Sequence, residues 1–131
     1  GSFNTNVMSV SASHATLNYL LSNKDFYKEL NSRGETLIKG LEEVASKNGI
    51  DILIQGLGSV FYLSFTNAKS IKNYREHVLN IDFDKYKEFA KLMLINGIRL
   101  SQNGRWHMSS AHSEEDIEKT IYAANLSFAE L

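Results

Sequence analysis

The chain of 131 residues contains neither cysteine nor proline. The first absence removes disulfides, thiol catalysis and thiolate metal sites together, and makes a reducing cytoplasm the expected setting. The second, against an average near ~5%, leaves the turns to Gly, Asn and Ser. An excess of one charge is also missing: 14 basic side chains face 15 acidic ones, so no nucleic-acid partner is expected. No apolar run is long enough to span a bilayer, and the start lacks a basic segment followed by an apolar signal core, so no membrane partner is expected either. What remains, 43% hydrophobic and 22% charged residues, suits a folded domain with its own core, most simply one domain over residues 1–131.

The strongest pattern present is the stretch from Lys24 to Asn48. Its Phe26, Tyr27, Leu30, Leu37, Ile38, Leu41, Val44 and Ala45 recur at helical spacing, with charged residues on the other faces, and Gly49 supplies the stop. Gly34 and Gly40 each cost about 1 kcal/mol relative to Ala inside a helix, which predicts close packing against another backbone or a local kink.

Before it, Val7 to Leu21 reads as a helix capped by Asn4, Thr5 or Asn6. Its first half is small and rich in Ser and Ala; its second half is large. That small face suits either tight packing within the domain or an interface with a partner. His14 on this helix has no His, Asp or Glu three or four positions away, which argues against a metal site.

After the long helix, 51–55 and 59–65 read as strands joined by Gly56-Leu57-Gly58, with Phe61, Leu63 and Phe65 on one face. Because no helix follows Gly56-x-Gly58, a dinucleotide fingerprint is excluded. Residues 67–84 read as a long exposed connection with one helical turn. A helix over 85–96 starts from Asp82 or Asp84 and stops at Asn96-Gly97. Two short strands, 98–100 and 105–109, follow around a polar turn. Ser113-Glu114-Glu115-Asp116 is a capping box opening a last helix through Phe128. The order α-α-β-β-α-β-β-α predicts an α+β fold, a small antiparallel sheet covered mostly on one face by helices.

No nucleophile is paired with a base, no phosphate loop is present, and the interior specifies no catalytic residue. Arg99, Arg105, His107 and His112 do gather around the last two strands, which suits a carboxylate-binding patch. The alternative is that Arg105 and His107 are simply the solvent face of a strand whose Trp106 turns to the core.

Four landmarks resemble one enzyme family. Gly1-Ser2-Phe3-Asn4-Thr5-Asn6-Val7-Met8 resembles the Gly-Thr-aromatic-x-Gly-Asn-Pro-Leu segment of class III pyridoxal-phosphate (PLP) aminotransferases, especially the glutamate-1-semialdehyde aminomutase branch. Thr5 and Val7 stand where that family has glycine and proline. Tyr27-Lys28-Glu29-Leu30-Asn31-x-x-Gly34-Glu35-x-Leu37, Gly56-Leu57-Gly58-Ser59-Val60-Phe61 and Ser109-Ser110-Ala111-His112-Ser113-Glu114-Glu115-Asp116-Ile117 are similar to its next three, in the same order.

The resemblance implies the C-terminal small domain of a longer, dimeric fold-type-I enzyme with transaminase or aminomutase (isomerase) activity on small-molecule amino donors and acceptors. An opening without Met fits a piece of a longer chain. By the same resemblance Ser2, with Gly1, contacts the cofactor phosphate of a neighbouring subunit, and the Schiff-base lysine lies in a missing cofactor domain. Lys24, Lys39 and Lys91 fall on polar helix faces, so this chain alone is expected neither to hold PLP covalently nor to transfer an amino group. Its share would be to close the cleft, support the dimer and present Arg105 to a substrate carboxylate. The competing expectation is a non-enzymatic α+β interaction module that docks through the Ser/Ala-rich first helix.

Overall fold

The computed structural model describes Gly1 and residues 4–131. Five helices and three strands follow the order α1 (Val7–Ser22), α2 (Phe26–Lys47), β1 (Ile52–Leu57), β2 (Val60–Phe65), α3 (Tyr74–Asn80), α4 (Phe83–Ile95), β3 (Arg105–His107) and α5 (Glu114–Ala129). The strands form one antiparallel sheet in the order β1-β2-β3, the α+β class that the hydrophobic pattern predicts. No helix among the described residues is long and apolar enough to cross a membrane.

Alternation along β2 sends Phe61, Leu63 and Phe65 to one face, where they are buried under α2, α4 and α5. Phe61 stacks on Trp106 of the neighbouring strand, with ring centroids 5.4 Å apart, and Phe65 meets the stacked pair Phe89 and Phe128 edge-on. Helix α2 lies across α5 and β1, burying Leu37, Leu41 and Ala45.

Gly34 marks the close backbone approach that was expected, whereas Gly40 makes room for a side chain. A Cβ on Gly34 would run into the backbone of Gly58 and Ser59, and one on Gly40 into the Ile121 side chain. Asn31, one turn earlier, accepts hydrogen bonds from the Ser59 N–H (3.2 Å) and hydroxyl (3.1 Å). The helix therefore touches the β1–β2 turn backbone to backbone, and side-chain bonds fix the contact.

Two elements differ from the sequence expectation. Residues 98–100 are not a strand: the Ile98 N–H is used by the Met93 carbonyl in closing α4 around Gly97, and β3 pairs with β2 alone. Inside 67–84, α3 forms two turns where one was expected. Asn73 accepts from the Glu76 N–H, while the Glu76 carboxylate accepts from Lys72 N–H and the Asn73 amide.

Helix α1 stands apart. Asn6 caps it, but none of its residues is buried, and Val7, Met8, Leu17 and Leu21 are all exposed. Its tie to the rest is Tyr19, edge-on to Phe26 at 5.9 Å.

Candidate functional site

The structure brings Arg99, Arg105, His107 and His112 around one cavity of about 270 Å³. Four separate local decisions place them. Gly97, with positive φ, ends α4 and turns the chain so that Arg99 enters the site. At the turn before β3, the Asn103 side chain accepts from the Ser101 hydroxyl and the Arg105 N–H, and Gly104 lies flat against the Tyr62 ring, where a Cβ has no room. Strand alternation then exposes Arg105 and His107 and buries Trp106, as the sequence pattern predicts. The Trp106 N–H meets no acceptor in hydrogen-bonding geometry, although it lies near enough to the Tyr86 hydroxyl to favour its ionised form.

His112 is held by a residue that reads from sequence only as part of the polar face of α2. The Arg33 guanidinium donates to the carbonyls of Ser110 (3.1 Å) and His112 (3.4 Å) and so ties the turn before α5 to α2. Within that turn the Ser109 N–H donates to His112 Nδ1 at 2.9 Å. The same Nδ1 lies 3.3 Å from the Ser109 carbonyl oxygen, so the backbone of the turn holds the ring in place.

One carboxylate, Asp116, lines the cavity with these groups. Its Oδ2 accepts from both the N–H and the hydroxyl of Ser113, each at 2.8 Å, completing the capping box of α5. The Ser113 amide and then its hydroxyl hold the Asp116 carboxyl below the usual carboxylate range, with smaller help from the charges of Lys119 and His112. Its charge is thus engaged at the helix start. Among the described residues neither Arg99 nor Arg105 belongs to an ion pair. Two unpaired guanidinium groups beside two imidazoles, over an apolar floor of Leu37, Trp106 and Ile117, suit a carboxylate with an apolar stem.

Ser2 lies outside the described residues. Gly1 is exposed, accepts from the Asn4 N–H, and lines neither this cavity nor the second one beside Arg105. No lysine lines the 270 Å³ cavity. Every lysine is exposed except Lys85, half-buried over the Phe65 ring at 5.7 Å. Among the described residues no group of three or more His, Asp or Glu is placed to hold a metal ion.

No family model matches the sequence. The fold, however, is shared with solved transaminases. A structure described as a transaminase with PLP bound matches 99% of this chain at TM-score 0.81 and 24% identity. An omega-transaminase from Sphaerobacter thermophilus matches 98% at TM-score 0.79 and 19% identity. A beta-phenylalanine aminotransferase from Variovorax paradoxus matches 75% at TM-score 0.67 and 20% identity. This is the fold of a transaminase C-terminal small domain. The chain spans 28%, 29% and 22% of the lengths of those three proteins.

Proposed function

We propose that this chain is the C-terminal small domain of a cytoplasmic, PLP-dependent aminotransferase or aminomutase of class III, of the glutamate-1-semialdehyde aminomutase type. Its task is recognition: Arg105, with Arg99, His107 and His112 beside it, receives the carboxylate of an amino acid or of its carbonyl counterpart. Its partners are a cofactor domain and a second subunit, reached through α1, and together they close the cleft and support the dimer. The observation that carries this is the unpaired Arg105 guanidinium on an edge strand of a transaminase fold.

The test is a chemical-shift titration of the 131-residue chain with acetate. Acetate should shift the amides around Arg105, His107 and His112. Arg105→Ala should weaken the response about tenfold, the scale of one lost charge-assisted hydrogen bond, without lowering the melting temperature, because the side chain is exposed. An unchanged response in the variant removes Arg105 from the site. A non-enzymatic module docking through α1 would show no response in either protein.

The covalent chemistry belongs, in this proposal, to the other domain. Incubation with PLP, borohydride reduction and intact-mass measurement should therefore leave the chain without a stoichiometric adduct. A single modified lysine at full occupancy would overturn that division of labour.

A further inference from the structure

Arg105 borders a second cavity, of about 600 Å³, whose walls have a different chemistry. Tyr62, Tyr74, His77 and Phe83 supply four rings. His77 is the centre of the group: its ring meets Tyr62 edge-on at 5.1 Å and Phe83 edge-on at 5.2 Å, and stacks with Tyr74 at 6.2 Å. Its Nε2 lies 3.4 Å from the Tyr62 hydroxyl. Burial raises the Tyr62 pKa despite the opposing charge of Arg105, so the phenol stays protonated. These rings are not core. Tyr74 is 80% exposed and Phe83 37% exposed, and each ring pairs with that of His77. The cavity is lined by the cations Lys72 and Arg105 and by no carboxylate.

We propose that this second cavity binds an aromatic ring whose carboxylate is held by Arg105, which makes aryl-substituted amino acids or their carbonyl counterparts the substrate class. The inference rests on the carboxylate role proposed for Arg105. Accessible ring faces favour a planar aromatic group, through edge-to-face and stacked contacts, over an aliphatic chain of the same size. The surplus of positive charge selects an aryl acid and rejects an aryl amine. Arg105 is the one charged residue shared by the two cavities, so an anion on it has its stem directed to either.

Three probes titrated into the 131-residue chain, followed by the same chemical shifts, test this: acetate, phenylacetate and phenethylamine. Phenylacetate should bind about fivefold tighter than acetate, the scale of one good aromatic contact, and should perturb Tyr74, His77 and Phe83 together with Arg105. Phenethylamine should perturb none of them. Tyr74→Ala should erase the phenylacetate advantage and leave acetate binding unchanged; an exposed side chain can be removed without threatening the fold. If phenylacetate binds no tighter than acetate and shifts only Arg105 and its 270 Å³ cavity, the aromatic site is overturned while the carboxylate role stands. Phenethylamine binding as tightly as phenylacetate overturns the charge selection. No response of Arg105 to either acid overturns both proposals at once.

Discussion

Helix α1 has sixteen residues without one Asp, Glu, Lys or Arg, and it buries none of them, whereas α2 carries eight charged residues in twenty-two and is clamped into the core. More apolar sequence has produced less burial. What a helix needs in order to dock on its own chain is separation of its apolar and polar residues onto different faces, and α2 has it. In α1 the apolar residues lie on more than one side of the axis: Val7, Val10, Leu17 and Leu21 share one stripe, whereas Met8 and Tyr19 fall on another. Nothing in residues 24–131 accommodates that shape, and the proposed cofactor domain and second subunit are where it would be covered. The comparison predicts that substitutions in the packed body are felt strongly and those in α1 hardly at all.

The largest expected effect lies at the α2 contact with the sheet. Leu41 is completely buried, and Leu41→Ala should lower the unfolding free energy by about 3 kcal/mol through lost burial and the cavity left behind. Urea denaturation measures it. A loss below ~1 kcal/mol would mean that α2 is not the element on which the core is built.

Next in size is an alkaline effect confined to the body. The buried Tyr86 hydroxyl donates to the Ser101 carbonyl at 3.1 Å, and burial pushes its pKa up to about 12. The folded state therefore keeps this proton after the unfolded chain, with a phenol near ~10, has lost it. Stability from this group is complete below pH ~10 and is lost as pH rises towards about 12, by at most about 2–3 kcal/mol. Tyr86→Phe should remove that part of the slope. An unaltered decline between pH 10 and 12 would place its cause elsewhere.

The contrast also explains what could be read from the sequence and what could not. The landmarks around Asn31 and Gly34, around Gly58 and Ser59, and around Ser109 to Asp116 are visible as separate short patterns, and α2 joins them. Asn31 binds Ser59, Gly34 leaves room for the Gly58 backbone, and Arg33 holds the Ser110–His112 turn. A residue such as Arg33 looks like surface polarity along a helix, because its partners are 77 and 79 positions away and are carbonyls, which leave no side-chain signature. The cluster of Arg99, Arg105, His107 and His112 was legible for the opposite reason: its members lie within 14 positions along the chain. Tyr62 and His77 stayed hidden because no periodicity over 67–84 announces α3, whose start depends on the Asn73 and Glu76 side-chain bonds. Residues 98–100 alternate like a strand, but the capping of α4 around Gly97 uses the Ile98 amide first.

The smallest expected effect lies in α1 and tests the comparison most directly. Leu17 is 59% exposed, so Leu17→Gln removes no packing within the chain. Leu and Gln have nearly equal helix propensity, and Gln adds no charge to interact with the helix dipole, so neither local term confuses the result. The unfolding free energy should change by less than ~0.5 kcal/mol, several times less than for a leucine deleted at position 41. Sedimentation of the same variant should show weaker self-association than the parent chain, because an uncharged, apolar helix in water is the surface by which copies would associate. A stability loss comparable to that at Leu41 would show that α1 packs on its own chain in solution. Its burial by a partner would then be unnecessary, and the route to the cofactor domain would have to leave the body by another surface.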